Sequence, residues 1–438
     1  MAHILATNIT SPLGMTTAEN YRAVKAGRSS LCRYEGLWGL PEAFTASLFT
    51  DGQQQALAIH GLTRFESLVV RSVSEAMAQL PQVDIAGENV VFILSTTKAG
   101  LEQQPGETAR RIATHLGVTS EPIVVCNACI SGVAAIILAK RLLDGALYDY
   151  AVVCGADVQS RFTVSGFQSL KALSADECRP FDIERMGLNL GEAAATMVLS
   201  REMSLQGTGF CVERGAIRND AFHVSSPSKN GEGAWLALKA IEASLPPHHP
   251  SSITSHPSPL SNLAFINAHG TATMFNDQME ALAIERAGLS GISVNALKGY
   301  YGHTLGAAGV LETVISLAAL TDHTILATRG FQERGVSGKI SVTTENSTTA
   351  KTSFVKMISG FGGGNAAILV APTLPTLGPM ETKGTQPAIR PQKDVPLLRH
   401  THRVTINPAA AIVDGKPLPD PVALTLQHRQ PDIPTPRQ

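Results

Sequence analysis

Residues 121–143 read EPIVVCNACISGVAAIILAKRLL. The run Ile123–Cys126 is a short apolar stretch ahead of a tight polar break, which predicts a buried strand. Ser131–Leu143 is apolar on nearly every side and carries small residues at Ser131, Gly132, Ala134 and Ala135. That composition predicts a helix packed closely inside the protein rather than lying on its surface. Cys129 falls at the join, where a helix start offers free backbone N–H groups and the positive dipole end to a thiolate.

Working outward, residues 292–320, ISVNALKGYYGHTLGAAGVLETVISLAAL, repeat the same succession of strand, tight connection and small-residue helix. In both segments the chemically interesting side chain sits where the helix begins, as two related halves packed together would place it. Further apolar runs predict strands at Val90–Leu94, Tyr150–Cys154, Ala195–Leu199, Ala264–Asn267 and Ile368–Val370. Thr63–Leu80 and Ala307–Leu320 predict helices, and the alternation gives an α/β class.

Composition narrows the field. The 438 residues are 44% hydrophobic and 16% charged, with a formal net charge of −1, which gives no electrostatic reason to expect nucleic acid or an anionic membrane. The N-terminal MAHILATNITSPLG lacks the parts of a signal peptide, and no apolar run is long enough to insert in a membrane. Cysteines at 32, 126, 129, 154, 178 and 211 do not form a disulfide framework, so a reducing cytoplasm is expected. Residues 245–261 and 372–438 are rich in proline. They read as an exposed loop and as an extended tail with a short hairpin near RVTIN and AAIVDGKPL. His248, His249, His256 and the pair His400 and His402 are expected in solvent, with no metal and no cofactor.

Cys126 and Cys129 form a C-x-x-C, the spacing of a redox dithiol or half a zinc site. No second such pair and no neighbouring His completes a metal site. Cys126 is expected on the strand, buried and inert. Core burial of both thiols stays as open as catalysis on this segment alone. Four other segments bear on the choice: FINAHGTATMFNDQMEALAI at 265–284, VNALKGYYGHTLGAAG at 294–309, ISGFGGGNAAILV at 358–370, and DAFHVSSP at 220–227.

Together these segments resemble the motifs of the elongating β-ketoacyl-[acyl-carrier-protein] synthases, the KAS I/KAS II group. NACISG resembles the nucleophile segment, NAHGTAT the first histidine motif, LKGYYGH the lysine–histidine motif and SGFGGGN the closing glycine turn. RPFDIERMGLNLGEAA at 179–194 and GFQSLKALS at 166–174 match as well, so the likeness runs in order over about residues 1–372. A KAS III-type enzyme would have Asn at His303, and a degradative thiolase a second cysteine late in the chain.

The resemblance implies a thiolase-like fold of two pseudo-duplicated halves in five α-β-α-β-α layers. It places the halves at 1–205 and 206–372, with 373–438 as an extension. It implies a decarboxylating condensation in which Cys129 accepts an acyl group. The backbone N–H groups of Cys129 and Phe361 would form the oxyanion hole, with Phe361 as a gate. His269 and His303 would donate from neutral imidazoles to the malonyl enolate, and Lys298, paired with Glu280, would orient the site. Thr271 and Thr273 would position malonyl thioester, and Glu280 and Asp277 would give structural support. The implied partners are acyl carrier protein and malonyl-carrier protein, in a homodimer or a heterodimer with a chain-length factor.

Three places depart from the pattern. Met186 and Ala193 stand where Asp and Gly are usual, in what reads as a structural turn. STTKAG at 95–100 replaces a glycine-rich stretch. Its Lys98 reads first as a solvated loop lysine and second as a polar pocket floor suited to short, unsaturated or hydroxyaryl chains. The tail is the third. These departures weakly resemble aryl-polyene or type II polyketide ketosynthases. A non-catalytic partner subunit and a hydrolytic thiol enzyme are the alternatives. Arg64 and Arg71 share a helix that could meet an acidic carrier.

Overall fold

The computed structural model describes residues 1–100, 103–203, 207–242, 260, 262–373 and the backbone of 412–413 and 416–417. His248, His249, His256, His400, His402 and RVTIN lie outside the described residues. Two compact units divide at Pro375 and Thr376. In the second, Ile412–Val413 pairs antiparallel with Lys416–Pro417 in a minimal hairpin within AAIVDGKPL.

The first unit is built twice from one plan. The first copy runs β1 (Ala2–Thr10), α1 (Arg64–Met77), β2 (Val90–Ser95), α2 (Pro105–Leu116), β3 (Ile123–Val125), α3 (Ser131–Asp144), β4 (Tyr150–Asp157) and β5 (Ala193–Ser200). The second runs β6 (Phe210–Asn219), α4 (Glu232–Glu242), β7 (Leu263–Asn267), α5 (Met274–Arg286), β8 (Ser293–Asn295), α6 (Ala308–Thr321), β9 (Ser353–Gly360) and β10 (Gly364–Pro372). The first strands lie in the order β3-β2-β4-β5-β1, and the second in the matching order β8-β7-β9-β10-β6. Parallel and antiparallel pairings also match, with the first three strands of each order parallel and the last two joins antiparallel. A two-residue contact between β1 and β6 links the sheets, and Ser341–Val342 extends the second beyond β8.

Layering follows from where the apolar surface lies. α1 carries a capping box, Thr63 with Glu66, and one apolar face, so it covers the outside of β1, β4 and β5. α4 covers β6, β9 and β10 on the other side. α3 and α6 each have fourteen residues, are buried over most of their circumference, and lie between the sheets touching strands of both. The result is the five-layered α-β-α-β-α arrangement. The two central helices cross at glycine: a Cβ on Gly132 would stand 2.8 Å from the Val310 nitrogen, and one on Gly309 would stand 2.4 Å from the Val133 nitrogen. Ser131-Gly132-Val133 and Ala308-Gly309-Val310 are therefore the two faces of one contact.

Candidate active site

The helix after the nucleophile begins at Ser131, two residues later than Cys129. Between β3 and that helix the chain makes a tight turn that puts Ala128 at φ 44°, a left-handed value disfavoured for a residue with a Cβ. Ser131 stabilises it: its Oγ donates to the Ala128 carbonyl at 2.6 Å and accepts from the Asn127 N–H at 2.8 Å. Gly360 passes so close that a Cβ there would lie 3.1 Å from the Cys129 nitrogen. The backbone N–H groups of Phe361 and of Cys129 itself lie where they favour a thiolate at Cys129.

Burial pushes the Cys129 thiol up to about 11, against the pull of the Lys298 charge and those two N–H groups, with Asp157 adding to the rise. A thiolate stabilised by the helix start was expected, and the resting group is instead a protonated thiol. Desolvation of a fully buried sulfur outweighs the dipole of a helix that starts two residues away. Cys126 also differs from expectation. It lies just past β3, is exposed, and its thiol donates to the Thr97 carbonyl at 3.3 Å.

The second half supplies nitrogen. His269 follows β7 on a loop in which Gly270 (φ 47°) and Ala272 (φ 59°) are left-handed. Glu280 on α5 accepts from the His269 and Gly270 N–H groups, both at 2.7 Å. Asp277, one turn earlier, accepts from Thr271 N–H at 3.0 Å and Phe181 N–H at 2.7 Å. Burial raises both carboxyls, Glu280 to about 7, opposed chiefly by the N–H donors. Thr271 and Thr273 share a hydroxyl hydrogen bond of 2.8 Å beside them.

His303 sits between the single turn Lys298–Tyr301 and α6. Its Nδ1 accepts from the Leu305 N–H at 3.2 Å, so the proton is on Nε2, which is buried without a partner. His269 Nδ1 is likewise buried and unpartnered. The two rings meet edge to face, with centroids 4.9 Å apart. Burial first, and then the charges of Lys298 and Lys356, hold both imidazoles well below their usual range, so both are neutral at pH 7.

Lys298 does not pair with Glu280. Its Nζ donates to Glu312 Oε1 at 2.7 Å and to the His269 carbonyl at 2.6 Å. Glu280 is already saturated by backbone N–H groups, and Glu312 on α6 is the free carboxylate within reach. Glu312 also accepts from Lys356 on β9, whose Nζ donates to the Ala268 carbonyl at 3.1 Å. Sequence reasoning missed Lys356 and Glu312. Their signal was available: each is a charge inside a run that is otherwise core, SFVKMISG and AGVLETVISLAAL.

Cys129, His269 and His303 bring one ligand atom each within 4.8 Å of the others. They could ligate a soft metal, although the two lysines beside one carboxylate oppose a cation there. A cavity of about 320 Å³ reaches them from the surface. Thr271, Thr273 and Phe361 line it, and the segments 166–174 and 220–227 both contribute to its wall. Phe361 is partly exposed and stacks on Phe167 with centroids 6.0 Å apart. The rim is apolar, with Met186, Val224 and Phe275 each about three-quarters exposed. Met186 is thus a rim residue, where a part in a structural turn was expected.

Lys98 is neither solvated nor at the cavity. Its Nζ donates to Asp157 Oδ1 at 2.9 Å and its side chain is mostly buried. Asp157 is fully buried and also accepts from Thr96, Thr97 and the Gly306 N–H, so a strong anion draws the lysine inward. Arg64 is tied to the buried Glu192, while Arg71 reaches the Leu57 carbonyl.

Comparison with known proteins agrees with this geometry. Residues 95–204 match the β-ketoacyl synthase N-terminal domain and residues 210–332 its C-terminal domain. The 3-oxoacyl-[acyl-carrier-protein] synthase 2 of Rhizobium meliloti is 32% identical over 56% of this chain and 59% of its own length. That of Vibrio cholerae is 27% identical over 72% of this chain and 84% of its own. The chain thus spans less than two thirds of the first of these relatives. A ketosynthase solved in complex with its chain length factor, from Xenorhabdus doucetiae, superposes with a TM-score of 0.72 at 25% identity, over 85% of this chain and 98% of that one. Two matching domains in order, a shared fold, and Cys129, His269 and His303 gathered at one cavity make this chain a member of the β-ketoacyl synthase family of condensing enzymes.

Proposed function

We propose that the chain is an acyltransferase that carries out a decarboxylating condensation between an acyl thioester and a malonyl thioester on carrier proteins. The observation that carries this is the meeting of Cys129 with two neutral histidines, each with an unpartnered ring nitrogen, at one cavity. In the first step the Cys129 sulfur attacks the acyl carbonyl. The carrier thiol leaves with the proton from Cys129, and the N–H groups of Cys129 and Phe361 receive the oxyanion. Because the resting thiol is protonated, attack and proton loss are coupled.

In the second step the malonyl thioester loses CO2, and the electrons of that bond move into an enolate. His303 Nε2–H, with its tautomer fixed by Leu305, donates to the enolate oxygen, and His269 donates beside it. The carbanion carbon then attacks the acyl group, the C–S bond to Cys129 breaks, and the sulfur regains a proton. The chain is extended by two carbons. Thr271 and Thr273 position the malonyl thioester, Glu280 and Asp277 brace the histidine loop, and Phe361 gates the acyl path.

The halves fall at 1–205 and 206–372. The natural partners are an acyl carrier protein and a second ketosynthase-like chain, identical or chain-length-factor-like. β3 ends the sheet with no outer neighbour among the described residues, followed by exposed Cys126, which gives such a chain a strand edge to join. None of the described helices is long and apolar enough to cross a membrane. Labelling with cerulenin tests the function. Stoichiometric modification of Cys129, absent in Cys129→Ser, supports it, and an intact fold that takes no label favours a non-catalytic partner subunit.

A further inference from the structure

The second buried lysine has no assigned role in either step of the reaction described so far. Lys356 is fully buried in the middle of β9, a strand otherwise made of core residues. Lys298 and Lys356 take the two oxygens of Glu312, and each also holds one of two successive carbonyls, His269 and Ala268. The loop that presents His269 is therefore gripped at both adjacent peptide units.

The duplicated plan shows that the fold does not need this arrangement. Aligned by the crossing glycines, Glu312 corresponds to Ala135 of α3, three residues beyond Gly132 as Glu312 is beyond Gly309. Aligned by their eight residues, Lys356 of β9 corresponds to Val153 of β4, each the fourth. The twin half places buried Ala135 and Val153 where this half places an ion pair. Buried ion pairs are weak sources of stability compared with well-packed apolar groups. One carboxylate between two ammonium groups is also one negative charge short, and the surplus lies beside the histidines.

We propose that Lys356 is a positioning residue for malonyl decarboxylation, acting through the Ala268 carbonyl and Glu312 to fix His269 and through its charge to keep His269 and His303 unprotonated. The inference rests on the condensing function proposed above. The charged and titratable groups around Lys356 are Glu312 on α6, Lys298, and Glu280 on α5. Those facing the histidines are Lys298, Lys356, the Cys129 thiol and each other. Removing Lys356 leaves Glu312 in a one-to-one pair with Lys298, so no carboxylate is orphaned.

The test measures the two half-reactions separately, on the full chain with its partner if one is needed. Malonyl-carrier decarboxylation is followed by CO2 release, and acyl transfer by intact mass at Cys129. Lys356→Met is expected to slow decarboxylation about tenfold or more while acyl transfer stays within about twofold, since only the first uses His269 as donor. The acid limb of the decarboxylation profile is expected to move to higher pH, because losing a nearby cation lets the imidazoles protonate sooner. If Lys356→Met does not fold, Lys356→Gln keeps a donor for the Ala268 carbonyl and drops the charge, and is expected to shift the acid limb alike. An unmoved acid limb, or equal loss in both half-reactions, overturns the inference and leaves the condensing function standing. A wild-type chain that decarboxylates no malonyl thioester overturns both.

Discussion

The two halves of the molecule follow one plan and do opposite things with it. Strand order, pairing sense and the crossing glycine are the same in each. Yet the first half delivers a single sulfur from apolar surroundings, and the second delivers two imidazoles over a charged network. At the matching places α3 and β4 have Ala135 and Val153, whereas α6 and β9 have Glu312 and Lys356. The shared plan brings Cys129, His269 and His303 to one place, and the departures from symmetry decide what they do there. Burial that outweighs the nearby Lys298 charge leaves a protonated thiol, and burial beside excess positive charge leaves neutral histidines.

The largest effect should come from deleting what the first half contributes. Cys129→Ser is expected to lower condensation by at least about a thousandfold, measured as β-ketoacyl product, because the hydroxyl is a far weaker nucleophile without a base. Decarboxylation of malonyl thioester should survive in that variant, since its donors lie in the other half. The converse change, His303→Ala, is expected to slow decarboxylation by about 100- to 1000-fold, the usual loss for one oxyanion donor. Acyl loading should persist. Equal losses in both steps for either variant would break the division between halves.

Glu312→Ala tests the charged network. It strands two ammonium groups in the core, and loss of a buried partner costs about 3–5 kcal/mol. Thermal or urea unfolding should show it. The crossing itself is tested by Gly132→Ala, whose methyl group would meet the backbone of Val310 and cost about 1–3 kcal/mol. The same change in Gly309 should cost a similar amount if the contact is as symmetric as its geometry.

pH gives the smallest and most specific signal. Both histidines have folded values well below the 6.5 of a free imidazole. Below about pH 6.5 the unfolded chain binds protons that the folded chain refuses, so stability falls as pH falls there, and the histidine contribution is flat above that value. Cys129 is raised to about 11, so between the ordinary thiol value and 11 the folded chain holds the extra proton and stability falls as pH rises. At pH 8 roughly one Cys129 in a thousand is ionised, so iodoacetamide should label it slowly and faster with rising pH.

Much of this was legible in the sequence. The apolar runs at Val90, Tyr150, Ala195 and Ile368 are strands because each is buried within a sheet covered on both sides, and such strands show as unbroken apolar stretches. The echo between 121–143 and 292–320 carried the duplication. β6, with polar residues in FCVERGAIRN, gave a weaker pattern and went unread. So did the partners of Lys298. Motif order placed the lysine at the site, but only the fold brings α6 and β9 beneath it, and Glu280 is taken up by backbone N–H groups. Lys98 was misjudged because its anchor, Asp157, is 59 residues away in sequence.

The division of labour between halves is tested most directly by intact mass spectrometry of His303→Ala, first with an acyl-carrier thioester and then with malonyl-carrier thioester. The expected result is one acyl group on Cys129 that remains after the malonyl thioester is added. Failure to load the acyl group, or its consumption at the wild-type rate, would contradict the assignment of the sulfur to one half of the reaction and the histidines to the other.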